Sequence, residues 1–148
     1  MTPGNEAKLI EELRHDEGVR YWPYRDAVGV MTTGVGHNME AHPLPPYCAF
    51  PLSDAMVDRL LADDLQSVYD DLNGNLPWWT DLSDVRQRVL CNMCFNLGIG
   101  KLLGFRNTLA FMRQGKYDAA ADGMLKSAWA SQVKGRATRL ADMMRKGV

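Results

Sequence analysis

Apolar residues recur at helical spacing through most of the chain and alternate with polar residues in one short N-terminal region. A first helix is predicted from about Asn5 to Glu17, with Asn5 as its cap and Gly18 as its end. Its apolar stripe consists of Leu9, Ile10 and Leu13. From Arg20 to about His37, aromatic and β-branched residues alternate with Gly and Asp. This pattern predicts a small β-hairpin or three short strands.

A proline-rich loop separates this β region from a long helical pattern. Residues 38–52 contain four prolines, which exclude a helix or an inner strand there. Ser53 then caps a predicted helix of about 20 residues, or ~30 Å. Beyond the Pro77 break, the apolar spacing and the glycines predict further helices at 83–97, 105–113, about 117–131 and 136–146.

Together these elements predict an α+β fold that is mostly α. We expect one domain with a β-containing lobe at about 15–52, a linking helix at about 53–73, and a helical lobe at about 74–148 that also includes helix 5–17. The expected place for a ligand is a cleft between two lobes.

Composition narrows the class of protein. A length of 148 residues fits one domain, and 46% hydrophobic with 24% charged residues is typical of globular proteins. No segment approaches the ~20 apolar residues of a membrane span. The first residues lack the layout of a secretory signal, so we expect the chain to be made and folded in a cytoplasm.

The cysteines favour a structural role. Cys91 and Cys94 resemble a redox or zinc pair, but they lie in a helical pattern without a second pair nearby, so we expect them in the core. With Cys48 the count is odd, which suits a reducing compartment. His42 and Cys48 share the proline-rich loop, but two candidate ligands there are too few to predict a metal site.

Charge is divided unevenly along the chain. Residues 1–99 carry 7 Lys+Arg against 15 Asp+Glu, whereas residues 100–148 carry 10 against 3. The basic end predicts a surface for a polyanion, either nucleic acid or the bacterial cell wall. A solvated face that balances the acidic part explains the same counts equally well.

Two carboxylates near the N-terminus are candidates for acid–base chemistry. Glu17 is predicted at a helix C-terminus, where the macrodipole favours a protonated carboxyl, and Asp16 adds like charge. Asp26 lies in a polar turn and is expected to stay ionised. Such a pair is used to cleave glycosidic bonds. Nearby aromatics offer sugar-stacking faces, namely Tyr21, Trp22 and Tyr24. The spacing alone also fits an ordinary turn region with core aromatics.

The segment resembles the active site of a known family. Eight residues separate Glu17 from Asp26, five more separate Asp26 from Thr32, and "TGVGH" follows directly. This spacing is similar to the catalytic segment of the phage-type lysozymes, the endolysins of T-even phages and their relatives. The segments "SDAMVDRLLADDL", "RQRVLCNMCFNLG", "GFRNTL", "YDAAADGMLKSAW" and "GRATRLADMMRKG" follow in that family's order. The resemblance extends from about residue 9 to residue 147.

The resemblance implies roles for the three central residues. Glu17 is expected to donate a proton to the glycosidic oxygen. Asp26 is expected to act on the opposite face of the sugar, with Thr32 helping to hold the attacking water. In that family the anomeric configuration is inverted, which requires carboxyls far enough apart to admit a water.

Further positions match supporting and substrate-binding residues of the family. His37 matches a histidine that pairs with an aspartate on the long helix, here Asp64, in a structural ion pair. Arg136 matches an arginine that orients the catalytic glutamate. The positions that match the saccharide cleft are Phe95, Asn96 and Thr108, whereas Trp129 is expected in the core. The sequence departs from the family at Gly123, where T-even relatives have an amide, and in the loop at 38–52.

The function implied is a peptidoglycan hydrolase that cuts the β-1,4 bond from N-acetylmuramic acid to N-acetylglucosamine during host cell lysis by a bacteriophage. We also expect a monomer without metal or cofactor, and no nucleic-acid partner. The family resemblance also implies that a holin-like membrane protein gives the enzyme access from the host cytoplasm to the periplasmic wall. Two alternatives stay open: a lytic transglycosylase, and a non-catalytic wall-binding or virion module on the same fold.

Overall fold

The computed structural model describes residues 1–148, which form eight α-helices, three short strands and one 3-10 helix. The N-terminal elements are α1 (Pro3–Glu17), β1 (Arg20–Arg25), β2 (Met31–Gly34), β3 (His37–Asn38) and α2 (Asp54–Asn75). A 3-10 helix (Pro77–Asp81) follows, and then α3 (Asp84–Leu97), α4 (Ile99–Leu103), α5 (Arg106–Arg113), α6 (Tyr117–Leu125), α7 (Ala128–Val133) and α8 (Gly135–Lys146). The mostly α, α+β fold class is confirmed.

The first helix begins two residues before its predicted start. Pro3 is tolerated in the first turn because its missing N–H would have no intrahelical partner there. The cap is Thr2, whose Oγ1 accepts from the Asn5 N–H at 3.2 Å. The prediction that Asn5 caps this helix is therefore wrong. The Asn5 side chain is buried, donates to the Asp84 carbonyl at 3.0 Å and accepts from Arg88 at 2.8 Å.

The predicted β region is a three-stranded antiparallel sheet in the order β1-β2-β3. Tyr24 pairs with Thr32, and Thr33 pairs with His37. The pairing of β1 with β2 is irregular between Arg20 and Tyr24. A Cβ built at Gly34 would lie 3.3 Å from Leu60 Cδ2, so the end of β2 packs closely on α2.

The long helix follows the sequence prediction closely. Ser53 caps it, because its Oγ accepts from the Met56 N–H at 3.1 Å. The helix ends at Asn75, two residues beyond the predicted end. The proline-rich segment between β3 and α2 contains no helix or strand, as expected from its four prolines.

The C-terminal helices differ from prediction in two places. The single helix predicted at about 117–131 is two helices, α6 and α7, because Ser127 starts a new helix by accepting from the Ala130 N–H at 3.2 Å. The short helix α4 lies between Gly98 and Gly104 and has no counterpart among the predicted elements.

The chain forms two compact units. The β unit is residues 7–67, and the helical unit is residues 1–6 and 68–148. The boundaries fall inside α1 and α2. Buried apolar residues of the β unit include Leu9, Leu13, Val35, Leu52, Val57, Leu60, Leu61 and Leu65. Those of the helical unit include Leu72, Trp79, Leu90, Met93, Leu102, Met112, Met124, Leu140 and Met144. That the two units act as one domain stays a prediction.

The cysteines are free thiols, and two of them are in the core as predicted. Cys91 and Cys94 are buried, while Cys48 is partly exposed. Burial raises the pKa of Cys94 to about 12 and that of Cys91 further, so both thiols stay protonated near neutral pH. No group of three or more His, Cys, Asp or Glu side chains is placed to hold a metal ion. None of the helices combines the length and apolar character needed to cross a membrane.

Candidate functional site

Glu17 lies at the last position of α1, in the β unit. The helix stops there because Gly18 adopts φ +71° and its N–H donates to the Arg14 carbonyl at 3.0 Å, as the glycine predicted. The Glu17 side chain packs directly on Gly36. A Cβ built at Gly36 would lie 2.8 Å from both Cγ and Cδ of Glu17. Gly36 also has φ +60°, a conformation that favours glycine.

Asp26 starts the turn between β1 and β2, and one of its carboxylate oxygens is bound by the turn itself. The N–H groups of Val28 and Val30 donate to Asp26 Oδ1 at 3.0 and 2.9 Å. The Asp26 N–H donates to the Val30 carbonyl at 2.9 Å, and the Gly29 N–H donates to the Asp26 carbonyl at 3.0 Å. These bonds fix the orientation of the carboxylate and leave Oδ2 available to a ligand or water.

Thr32 is connected to Asp26 through the main chain of Val30. The Thr32 hydroxyl donates to the Val30 carbonyl at 2.9 Å, the same carbonyl that accepts from the Asp26 N–H. With its hydrogen directed to that carbonyl, Thr32 Oγ1 presents lone pairs to a further donor. Thr32 is buried, with 5% of its surface exposed.

Tyr24 on β1 is surrounded by charged groups of the β unit. Burial raises the pKa of Tyr24, and the negative charges of Glu17 and Asp26 raise it further, while Arg20 lowers it. The Arg20 guanidinium lies 4.9 Å from the centre of the Tyr24 ring. Glu17 packs on Gly36 just after β2, Asp26 follows β1 directly, and Thr32 pairs with Tyr24, so each of the three predicted catalytic residues adjoins the sheet.

The predicted contact between His37 and Asp64 is present. His37 Nδ1 lies 2.8 Å from Asp64 Oδ2, and His37 Nε2 lies 2.9 Å from the His42 carbonyl oxygen. Burial lowers the pKa of His37, but the hydrogen bond and charge of Asp64, with the His42 carbonyl, raise it more, and the net direction is upward. Both ring nitrogens are occupied, which fits a structural residue rather than a proton donor to substrate.

The residues expected to bind saccharide lie in the helical unit. Phe95 is partly exposed and Asn96 is exposed at the end of α3, whereas Thr108 on α5 is only 6% exposed. Asn96 Oδ1 accepts from the Trp129 indole N–H at 2.7 Å, which orients the amide. Trp129 is buried, as predicted.

Gly123, at which the sequence resemblance predicted a departure from the family, lies against Thr108. A Cβ at Gly123 would overlap the Thr108 hydroxyl, so the space of a larger side chain is taken by Thr108. The lack of a side chain at Gly123 therefore leaves room for the buried Thr108 hydroxyl.

Arg136 lies in the first turn of α8 and is held by a buried amide. Its Nε donates to Asn92 Oδ1 at 2.9 Å, and Asn92 is fully buried on α3. A buried amide that accepts from arginine restricts the guanidinium to one orientation. The role toward Glu17 that the resemblance gives Arg136 stays a prediction.

A cavity of about 410 Å³ opens in the helical unit. It is lined by Leu97, Lys101, Gly104, Phe105, Ser127, Ala128, Trp129 and Gln132. None of the three predicted saccharide-binding residues lines it, although Trp129 binds Asn96.

Three residues that contact the predicted site residues within their own unit carry no clear signal in the sequence. Val30 acts through its main chain, which no residue pattern reveals. Gly36 belongs to the conspicuous Gly-x-Gly-His string, but its contact with Glu17 depends on how the chain returns past α1. Asn92 lies in a helix whose sequence is otherwise largely apolar. An amide at a buried position requires a polar partner, and that requirement is the only sign of Arg136 in the sequence.

Comparison with known proteins places most of the chain in one family. Residues 14–146 match the family model described as phage lysozyme. The chain is 32% identical to a SAR-endolysin of bacteriophage PS119, across 83% of this chain and 71% of that protein. It is 25% identical to a protein of Dictyostelium discoideum named as a T4-type lysozyme, across 95% of both. It is also 30% identical to the pre-baseplate central spike protein Gp5 of Enterobacteria phage T4, across 89% of this chain but only 26% of the spike protein's length.

Proposed function

The chain belongs to the phage lysozyme family, and from that premise we propose that it is a muramidase that hydrolyses the β-1,4 bond between N-acetylmuramic acid and N-acetylglucosamine. Family membership supports the coarser assignment of a glycoside hydrolase acting on peptidoglycan. The bond cleaved, the inversion of configuration and the roles of individual residues are our proposal.

Glu17 is the proposed general acid. Its carboxyl lies at the C-terminal end of α1 and packs on Gly36. The proton passes from the Glu17 carboxyl to the glycosidic oxygen as the bond between that oxygen and the anomeric carbon breaks. Gly36 holds the side chain on one side, so the acid does not have to be ordered during the reaction.

Asp26 and Thr32 are proposed to hold and activate the attacking water. Asp26 Oδ2 accepts one hydrogen of the water and Thr32 Oγ1 accepts the other, which directs an oxygen lone pair to the anomeric carbon. As the new carbon–oxygen bond forms, Asp26 takes the water proton. Attack from the face opposite to the leaving oxygen inverts the anomeric configuration.

One observation carries this proposal: the Val30 main chain bonds to both Asp26 and Thr32. Its N–H orients Asp26 Oδ1 and its carbonyl takes the Thr32 hydroxyl hydrogen. Two acceptors, Asp26 Oδ2 and Thr32 Oγ1, are thereby left for a single water. A lytic transglycosylase needs no attacking water, and this arrangement supports hydrolysis over that alternative.

Substitution of the two carboxylates tests the assignment. We expect Glu17→Gln to abolish lysis of purified sacculi, since a general acid contributes about 10²- to 10⁴-fold. Asp26→Asn should lower the rate severely while the thermal midpoint stays close to that of the wild type. Glu11→Gln, which removes an exposed carboxylate from the same helix, is the matched control and should retain full activity. Near-normal rates in both folded site variants would exclude the proposal.

The products distinguish the reaction types. Mass spectrometry of released muropeptides should show reducing ends with one added water, and proton NMR of fresh product should show the inverted anomer first. Anhydro-muramic ends would instead establish a transglycosylase. Binding to sacculi without product would establish a non-catalytic wall module.

Substrate binding in the helical unit is part of the same proposal. We propose that Phe95 and Asn96 contact the saccharide and that Thr108 supports this surface from a buried position. Asn96→Ala should raise KM more than it lowers kcat. Arg136 is proposed as a positioning residue, and His37 with Asp64 as a structural pair of the β unit.

The biological role we propose is host cell lysis by a bacteriophage, with access to the wall provided by a holin-like membrane protein. The similarity to the spike protein of phage T4 favours a second candidate, a lysozyme carried in the virion. Mass spectrometry of purified phage particles separates the two, because a virion lysozyme is present in the particles and a lysis enzyme is not. A lysis enzyme is also expected to lyse bacteria in which a holin is co-expressed.

A further inference from the structure

Two large aromatic side chains of the β unit are exposed side by side. Trp22 on β1 is 61% exposed, and Phe50 in the loop before α2 is 37% exposed. Their ring centres lie 6.4 Å apart and their planes differ by 18°, an offset stacked arrangement. A tryptophan with most of its surface in water is unusual in a folded chain. Paired exposed aromatics indicate a surface with a binding role.

The backbone beside the two rings is fixed by hydrogen bonds. The Leu52 N–H donates to the Tyr21 carbonyl at 2.8 Å, which joins the end of the loop to β1 directly beside both rings. The Tyr21 hydroxyl donates to Asp54 at 2.7 Å at the start of α2. Pro23 restricts the backbone of Trp22 to extended conformations. Binding to this pair therefore costs little ordering of the backbone that carries the rings.

The chemistry of the pair suits a sugar. Pyranose rings present C–H groups on one face, and these pack on the electron-rich faces of aromatic rings while the hydroxyls stay in water. Trp22 precedes Asp26 by four residues, or about 13 Å of extended chain. A glycan strand bound at Asp26 is long enough to extend over that distance. Phe50 lies in the proline-rich loop at 38–52.

We propose that Trp22 and Phe50 form an accessory platform that binds the glycan strand of peptidoglycan outside the sugars that react. This inference rests on the proposed function for its ligand. The platform raises the affinity for long strands, and it contributes nothing to the bond cleavage itself. The platform therefore lowers KM on polymeric substrate and leaves kcat unchanged.

Binding is measured in the Glu17→Gln background, so that sacculi stay intact during co-sedimentation. We expect Trp22→Ala combined with Phe50→Ala to weaken retention on sacculi about tenfold, with each single change giving about threefold. Trp22→Tyr should restore most of the affinity, because it restores a ring. Leu125→Ala, an exposed apolar residue in the helical unit, is the matched control and should leave retention unchanged.

Kinetics with Glu17 intact separate the platform from the catalytic proposal. The double variant should raise KM on sacculi at unchanged kcat, and should not alter cleavage of the shortest soluble glycan that is turned over. Unchanged KM and unchanged retention would overturn the platform while leaving the proposed function in place. Failure of the wild type to release reducing ends would overturn the proposed function, whereas the binding measurement would still report on the platform.

A lipid surface is the competing occupant, since tryptophan also inserts at membrane interfaces. Co-sedimentation with vesicles of phosphatidylethanolamine and phosphatidylglycerol tests this directly. Loss of vesicle binding in the double variant, with sacculus binding intact, would overturn the platform proposal.

Discussion

Replacing Gly36 by alanine is expected to displace the proposed general acid without unfolding the protein. The added Cβ would lie 2.8 Å from Cγ and Cδ of Glu17, closer than side-chain atoms approach one another, so the Glu17 side chain has to rotate away. At φ +60° the alanine also costs about 1–2 kcal/mol of stability. A misplacement of about 1 Å at a reacting group costs roughly 10²-fold in rate. We therefore expect kcat to fall about 100-fold.

The matched control is Gly115→Ala in the helical unit. Gly115 has φ +75° and nothing lies within 4 Å of a Cβ built there, so this variant carries the same backbone strain without the overlap. Both variants should lose similar amounts of unfolding free energy in urea. Only Gly36→Ala should lose activity on dye-labelled sacculi. If Gly36→Ala retains kcat within about threefold of Gly115→Ala, the contact with Glu17 does not position the acid.

Two further perturbations test the β unit. Because the folded pKa of His37 is raised above its unfolded value of about 6.5, its contribution to stability is complete below that pH and is lost as pH rises through the folded pKa. The unfolding free energy from urea titrations should thus fall with rising pH in that range. In Asp64→Asn, burial is left as the main influence on the pKa of His37, so the unfolding free energy should rise with pH instead. The same pH dependence in both proteins would contradict this. Thr33 is fully buried and its Oγ1 has no hydrogen-bond partner. Thr33→Val should therefore raise the unfolding free energy by about 1 kcal/mol. Thr32→Val, which removes a hydroxyl bonded to Val30, should lower it. A lower thermal midpoint for Thr33→Val would refute the reasoning.

Local signals in the sequence determined most of the secondary structure. Gly18 ends α1 and Ser53 starts α2 at the predicted positions, because a glycine at positive φ and a capping hydroxyl act within one helical turn. The prolines of residues 38–52 exclude regular structure by their own geometry. The spacing of Glu17, Asp26 and Thr32, read against a family, was enough to propose a reaction.

Where a distant partner competes for a side chain, the local signal failed. Asn5 has the right chemistry for a cap, but Arg88 and Asp84 bind its amide, so Thr2 caps the helix instead. Ser127 lies inside an unbroken apolar pattern, and its side chain nonetheless starts a new helix. Neither outcome follows from propensity, because both depend on which groups the fold brings together.

Only the tertiary structure decided how the site is held and what surrounds it. The sequence determined which groups carry charge, where helices end and which segment carries the chemistry, because these depend on residue type and near neighbours. The contact of Gly36 with Glu17 and the stacking of Trp22 on Phe50 join positions 19 and 28 residues apart. Contacts at that separation depend on the path of the chain and on how closely its distant segments pack together. No spacing rule along the sequence encodes them.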